Sequence, residues 1–313
     1  MMTEIKNSKR IYNHTTHGVE ERKWKNVAFW SLMLLALIII TLSIFQFITV
    51  KEATDFILAN ADEKFLFMLA VGFFAQMVDG ALGMGYGVIS TTLLLSGGLN
   101  PAVISGSIHT AEMFSSGASG FSHYRFGNVN MKLFKTLLIP GVLGAIGGAI
   151  LLGTVGETYS QWIRPIISVY TFILGLKILT NAFKTDVKPK KIKRAGWLAG
   201  AGGFLDSFGG GGWGPLVTST LISKGRSPKY VIGSVSLTEF FVTMASALTF
   251  FVILGISHLG TIIGLIAGGI LAAPLAAKLA GKLPIKKMFI GVAVIVLISS
   301  VRVIWNSLDK LVF

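Results

Sequence analysis

The chain lacks cysteine altogether and carries little charge for its length. Its 313 residues include no Cys, and 13% of them are charged against 52% that are hydrophobic. Without Cys, disulfides, thiolate metal sites and cysteine nucleophiles are excluded together. Soluble domains carry about 25% charged residues, so this composition predicts an all-α polytopic membrane protein. We predict no metal site, no cofactor and no catalytic residues.

Acidic residues are scarce as well, and the remaining charge is mostly basic. The chain has 14 Asp and Glu against 28 Lys and Arg, which gives a net charge of +14. Basic residues of membrane proteins gather in cytoplasmic loops, and here they concentrate in the N-terminal tail and in alternate loops. The pattern predicts a lipid bilayer as the partner and no nucleic acid. It places the N-terminus in the cytoplasm and the C-terminus outside.

Long apolar runs divide the chain. The first run, residues 27–50, exceeds the roughly 20 residues needed to span a bilayer, and no small-residue cleavage site follows it. We therefore predict a retained leading helix after a basic cytoplasmic tail at 1–26. The other runs fall into two groups, 65–183 and 196–306. Together they predict about seven transmembrane helices in a single membrane domain, and a homo-oligomer is compatible with this pattern.

The two groups are copies of one another. Shifting the sequence by 127 positions superposes 79–120 on 206–247 without a gap, and fifteen of the forty-two pairs are identical. Each copy opens with a glycine-rich segment, 65–97 or 196–222, which is shorter than the roughly 40 residues of two full crossings. Length and loop charge together favour re-entrant helical hairpins, each followed by three apolar spans. The two repeats then have inverted topology, and the tips of the two hairpins are predicted to approach each other.

The hairpin tips read "DGALGMGYG" from Asp79 and "DSFGGGGWG" from Asp206. Irregular backbone at membrane depth is tolerated only where it is buried in protein or lines a cavity. A helix that begins at such a tip offers N–H groups to an anion, and broken helices in inverted halves indicate a transporter's binding site. We predict that the tip glycines bind a small anion; these are Gly83, Gly85, Gly87, Gly210, Gly211, Gly212 and Gly214. Glycines in 141–150 and 264–282 are predicted to pack helices instead.

Three other polar residues are candidates for the same anion. Ser107 and Ser234 are repeat-related hydroxyl donors, and His109 lies one helical turn or less away. His109 stands where the second copy has Ser236, so the halves differ chemically. A hydrogen bond between helices is the alternative interpretation for His109.

Four acidic residues lie inside or beside apolar segments. Asp79 and Asp206 either bind protons or cations, or cap the broken helices by accepting from their N–H groups. Glu112 and Glu239 lie within apolar spans, where a charge costs about 2.5–3.5 kcal/mol or more. We predict proton or ion coupling for all four, with a structural hydrogen bond as the alternative for the two Glu. The same acids motivate a second function, a cation, metal or proton-coupled carrier.

A third function, an intramembrane serine protease, is suggested by one short motif. The sequence "GASG" at 117–120 resembles a GxSG pattern with Ser119 as the nucleophile. Its repeat partner, "MASA" at 244–247, keeps the Ser without the glycines, as expected of small residues that pack helices. We therefore predict that the protein is not an enzyme.

Several motifs together resemble one known family. The paired tips, "GSIHTAE" from Gly106, "GSVSLTE" from Gly233 and "HYRFGNVN" from His123 are similar to the sulfite exporter family of the TauE/SafE type, over residues 65–305. The resemblance implies a transporter of sulfite, organosulfonates or related sulfur-containing anions across the bacterial inner membrane, by alternating access at the two tips. The first tip departs from the glycine run of the second at positions 82, 84 and 86, so we expect the second tip to contact the ligand more closely.

Overall fold

Every element that the structure describes is helical. The computed structural model describes residues 63–82, 84–183, 194–255, 259–279 and 285–312. The elements are α1 (Glu63–Leu82), α2 (Tyr86–Ser96), α3 (Pro101–Arg125), α4 (Met131–Val155), α5 (Ser160–Ala182), α6 (Ala195–Gly209), a π-helical segment (Trp213–Thr218), α7 (Ser219–Ser223), α8 (Pro228–Leu254), α9 (Leu259–Leu279) and α10 (Ile285–Val312). The predicted tail at 1–26 and the leading helix at 27–50 lie outside the described residues.

The helix boundaries follow signals that the two repeats share. α2 and α7 each lead to a glycine with positive φ, Gly98 at 84° and Gly225 at 74°, a conformation that favours glycine. Three residues later, Pro101 and Pro228 begin α3 and α8, because proline suits the first turn of a helix. The three helices that follow in each repeat coincide with the three spans predicted there.

Four of the described helices contain stretches long and apolar enough to cross a membrane. They cover Met131–Val155, Ser160–Ala182, Lys229–Leu254 and Phe289–Asp309. The prediction of an all-α integral membrane protein is therefore confirmed. The count of seven spans and the re-entrant character of the hairpins remain predictions.

The two repeats interlock. α1 of the first repeat packs along α9 of the second, and α6 of the second packs along α4 of the first. α3 packs on its own repeat counterpart α8, and α5 packs on its counterpart α10. Equivalent helices thus exchange partners, which is the pattern of a pseudo-two-fold axis. Between α3 and α8, the hydroxyl oxygen of Ser116 lies 3.4 Å from that of its repeat partner Thr243.

Glycine lets the exchanged helices approach closely. A Cβ on Gly144 would meet the carbonyl oxygen of Gly200, and a Cβ on Gly268 would meet that of Leu69. Neither contact leaves room for a side chain, since the atoms met belong to backbone. The packing role predicted for these two glycine runs is confirmed at these positions.

The GASG sequence has the same explanation. A Cβ on Gly117 would lie 3.0 Å from the ring of Phe240, and one on Gly120 would lie 2.8 Å from the Cα of Leu237. Both neighbours belong to α8. The small residues around Ser119 therefore form the crossing of α3 and α8.

Candidate functional site

Each repeat contains one break between two helical arms. The first break separates α1 from α2, and the second separates α6 from the π-helical segment. We name them tip 1 (residues 79–87) and tip 2 (residues 206–214). Gly85 in tip 1 has a φ of 126° and Gly210 in tip 2 a φ of 65°, both values that favour glycine. Gly83 lies outside the described residues.

The two tips contact each other directly. A Cβ added to Gly87 would lie 2.8 Å from the Cα of Gly211. The hydroxyl of Thr91, one turn beyond tip 1, donates to the carbonyl of Gly210. The predicted approach of the tips is confirmed. Close backbone contact alone requires Gly87 and Gly211 in this conformation, whatever else they bind.

The aspartate at the start of each tip caps the helical arm that follows it. Oδ1 of Asp206 accepts from the backbone N–H of Trp213 at 2.8 Å, and the side chain is only 3% exposed. The carboxylate of Asp79 accepts from the backbone N–H of Tyr86, the equivalent position. Both side chains therefore cap, as one of the two interpretations predicted. Oδ2 of Asp206 is left for another partner.

That partner is His109 on α3. Its Nε2 lies 3.2 Å from Oδ2 of Asp206, and the ring is 0% exposed. Its Nδ1 lies 2.7 Å from the backbone carbonyl oxygen of Ser105. A carbonyl oxygen only accepts, so Nδ1 carries a hydrogen. The contact joins α3 of the first repeat to tip 2, whereas the equivalent position in the second repeat, Ser236, offers only a hydroxyl.

Three further side chains of the first repeat hold tip 2, and sequence reasoning missed all of them. The hydroxyl of Tyr170 donates to the carbonyl of Gly211 at 2.8 Å. The hydroxyl of Ser105 donates to a carbonyl in the last turn of α6 at 2.6 Å. Thr91 is the third, as described above. Thr91 is identical to its repeat partner Thr218, and this match is a signal that could have identified it. No local sequence pattern links Tyr170 or Ser105 to tip 2, which lies far along the chain from both.

Buried carboxyl groups gather beside the tips. Glu112 on α3 is 5% exposed and Glu239 on α8 is 8% exposed. Both lie close enough to Asp79 and Asp206 to interact with them electrostatically. Among the residues that the structure describes, no Lys or Arg forms an ion pair with any of these four. We call this group, with His109, the central cluster; it brings together every residue predicted for coupling.

Ser107 and Ser234 have other neighbours. Ser107 lines a cavity of about 20 Å³ beside Phe250, which is room for about one water molecule. Residues 107 and 109 are separated by about 200° around the helix, so Ser107 faces away from the partner of His109. The hydroxyl of Ser234 accepts from the backbone N–H of Asn130 at 2.8 Å and anchors the loop before α4. The assignment of both hydroxyls to an anion stays a prediction.

A larger, basic cavity lies where three helices begin. Its volume is about 420 Å³, and residues at or beside the first turns of α4, α6 and α8 line it, among them Lys132, Thr136, Ala195, Arg226 and Tyr230. First-turn N–H groups lack intrahelical acceptors, and the helix dipole favours anions there. The cavity therefore has the chemistry to attract an anion. Sequence reasoning grouped these basic residues on one side of the membrane but did not predict a cavity.

Two interlocked repeats, each with a broken helix that reaches a shared cluster of buried ionisable groups, are an architecture found in secondary transporters. Residues 68–303 match the family model described as "Sulfite exporter TauE/SafE". The chain belongs to this family. That description names an exporter and not a protease, so the protease interpretation is not pursued.

The chain is also similar to a curated protein. It is the "Probable membrane transporter protein YtnM" of Bacillus subtilis (strain 168), which is 39% identical over 201 residues. The match covers 62% of this chain and 66% of the relative, so this chain spans slightly less than two thirds of that protein. No solved structure shows significant similarity to the chain.

Proposed function

We propose that the protein carries a small sulfur-containing anion, such as sulfite or an organosulfonate, across the bacterial inner membrane. The observation that carries this proposal is the buried contact between tip 1 and tip 2, one tip from each repeat. A contact between two symmetry-related breaks can open toward one side of the membrane and then toward the other, which is alternating access. Membership of a sulfite exporter family supplies the class of substrate.

The anion binds between the tips once they separate. The tip glycines present backbone N–H groups, and His109 adds an imidazole next to tip 2. Two features limit the donors at tip 2, because Asp206 already accepts from the N–H of Trp213 and Pro215 has no N–H. Binding therefore depends on both tips together. Ser107 and Ser234 join the site only if the opening motion turns their hydroxyls toward it.

The basic cavity collects the anion on one side. Its Lys132, in the first turn of α4, and Arg226, in the loop before α8, lie on the side that the charge pattern assigns to the cytoplasm, with the N-terminus on the same side and the C-terminus outside. An inside-negative potential of 100 mV favours the exit of a dianion by about 4.6 kcal/mol. Export thus requires no second ion. Uptake requires positive charge to move with the anion, and the carboxyl groups of the central cluster are suited to hold it.

The test is flux into proteoliposomes that contain the purified protein. Radiolabelled sulfite, an alkylsulfonate and sulfate are each offered with and without a pH gradient and a potassium diffusion potential. We expect saturable flux of at least one sulfur-containing anion, driven by the membrane potential for export. Protein-free liposomes and the Gly211→Ala variant, whose tip contact is broken, are the controls. Absence of flux for all three anions by a folded protein would refute the proposal.

A second candidate function is a cation or proton-coupled carrier. The observation that favours it is the central cluster, which contains four carboxyl groups and one imidazole, and in which no described Lys or Arg pairs with the acids. Such a site attracts cations more strongly than anions unless positive charge is already bound. Saturable flux of a divalent metal without flux of any anion in the same liposomes would establish this function instead.

A further inference from the structure

The contact between His109 and Asp206 needs a positive charge that no described residue supplies. Nδ1 of His109 donates to the Ser105 carbonyl at 2.7 Å, so the neutral ring carries a lone pair on Nε2. That lone pair faces Oδ2 of Asp206 at 3.2 Å. The N–H of Trp213 is already directed to Oδ1. Two electron-rich atoms this close require a proton or a metal ion between them.

A third group that can bind a metal ion lies beside this contact and favours a metal ion over a proton. The side chain of Glu112 is buried and lies beside this contact. One of its oxygens, a ring nitrogen of His109 and an oxygen of Asp206 all lie within 4.8 Å of one another. A proton shared between His109 and Asp206 would hold only those two groups together. A metal ion satisfies all three groups at once.

We propose that His109, Glu112 and Asp206 bind one divalent transition-metal ion where the two repeats meet. Nitrogen and oxygen ligands bind such ions at about 2.0–2.2 Å, so adjacent ligands lie about 3.0–3.5 Å apart. The separation of 3.2 Å between His109 and Asp206 falls in this range. Metal-binding histidines usually donate their other N–H to a carbonyl or carboxylate, as His109 does to Ser105.

The ligand set indicates the class of metal. Magnesium and calcium prefer oxygen ligands alone, whereas an imidazole with two carboxylates suits zinc, manganese, iron or cobalt. Three protein ligands leave at least one coordination position for a small anion. A bound ion would thereby turn an acidic centre into one that accepts an anion. The site itself follows from this geometry and is independent of which anion is transported.

The repeat also limits the site to one per chain. The second copy has Glu239 at the position of Glu112, but Ser236 replaces the histidine. Glu239 therefore lacks the imidazole that would complete an equivalent site. This difference provides a matched control, because Glu239→Gln removes a carboxylate from the same cluster without removing a ligand.

The experiment measures metal bound to the purified protein, without any transport assay. The protein carries an affinity tag that contains no histidine, and His14 and His17 are each replaced by Asn. Bound metal is first removed with a chelator. It is then loaded with Co²⁺, Zn²⁺ or Mn²⁺ in turn, and bound metal is counted by mass spectrometry after gel filtration. Visible absorption of the Co²⁺ form reports its coordination. Thermal unfolding of each metal-free variant shows that it is folded.

We expect one equivalent of metal per chain. His109→Asn and Glu112→Gln should each weaken binding by at least about tenfold and abolish the Co²⁺ bands. Glu239→Gln and His123→Asn, a change on the same helix as His109, should bind like the parent protein. The proposal is overturned if the folded parent protein retains no metal, or if His109→Asn and Glu112→Gln retain as much as the parent. Since flux is not measured, these results stand apart from the success or failure of the transport test.

Discussion

Tip 1 and tip 2 are alike in sequence pattern but differ in what holds them. In both, an Asp caps an aromatic residue seven positions later. Among the described residues, every side-chain hydrogen bond that crosses between the repeats at the tips ends on tip 2, whereas Asp79 in tip 1 is half-buried and bonds within its own repeat. The repeats are therefore symmetric in backbone and asymmetric in side-chain support. A movement of tip 2 away from the first repeat would break all of these hydrogen bonds. A movement of tip 1 away from tip 2 would break fewer of them.

The largest effect is expected where the tips touch. The Cβ of Gly211→Ala would overlap the backbone of Gly87 and Val88, so the tips must separate. Overpacking of this kind costs about 1–3 kcal/mol or more, and we expect flux to fall to the background of empty liposomes. Gly147→Ala on α4 is the matched control, since its Cβ would lie 3.7 Å from the ring of Phe204, an ordinary contact. Normal flux in Gly211→Ala would show that the tips need not touch.

The next largest effect is a loss of stability, which we expect to be greater for removal of the Asp206 cap than for removal of the Asp79 cap. Asp206→Ala leaves the N–H of Trp213 and a ring nitrogen of His109 without partners in a buried site, and we expect a loss of about 2–4 kcal/mol of stability. Asp79→Ala removes only the cap of Tyr86, at about 1 kcal/mol. Asp206→Asn should be close to the parent, because an amide both accepts and donates. Thermal unfolding in detergent with a chelator present measures all three, and equal losses for the two Ala variants would contradict the asymmetry.

A smaller effect is expected from one hydroxyl group. Tyr170→Phe removes the hydrogen bond to the carbonyl of Gly211 and should cost about 1 kcal/mol. Hydrogen exchange of the backbone N–H groups in tip 2 should become faster, while exchange in tip 1 should change little. Tyr159→Phe, at an exposed tyrosine of the same region, is the control. Unchanged exchange in tip 2 would mean that Tyr170 does not restrain it.

The last prediction concerns Cys substitutions that should leave stability almost unchanged, and it tests the inverted topology. Gly98 and Gly225 have positive φ and would be strained by a side chain, so the neighbouring repeat-related pair Gly97 and Lys224 is preferred. We expect a Cys at Gly97 to react with an impermeant thiol reagent only from outside, and a Cys at Lys224 only from the cytoplasm. The native chain has no Cys, so each signal comes from one site. Reaction of both from the same side would contradict inverted repeats.

Much of the backbone could be predicted from the sequence, because the signals are local or repeated. Paired glycine clusters indicated both breaks. Apolar length predicted the spans that follow. The shift of 127 positions related the tips, so that their contact followed from topology.

The support of tip 2 could not be predicted in the same way. Tyr170 reaches Gly211 from a helix in the other repeat, and such a contact depends on how α5 and α6 are oriented rather than on any local pattern. For the same reason Ser107 and His109 were assigned to one ligand, although they face different neighbours across α3. Asp206 was left between capping and ion binding because its two oxygens have different partners, which spacing alone cannot show.

The contact between Ser116 and Thr243 has a consequence for the origin of the chain. These residues occupy the same position in the two copies, so α3 and α8 meet as two copies of one surface, each lying against its own inverted twin. A surface that binds itself in this way is what a half-length polypeptide needs to form a two-fold dimer. Once two such subunits were joined end to end, each copy could change independently. His109 in the first copy and Ser236 in the second are an example of such a difference.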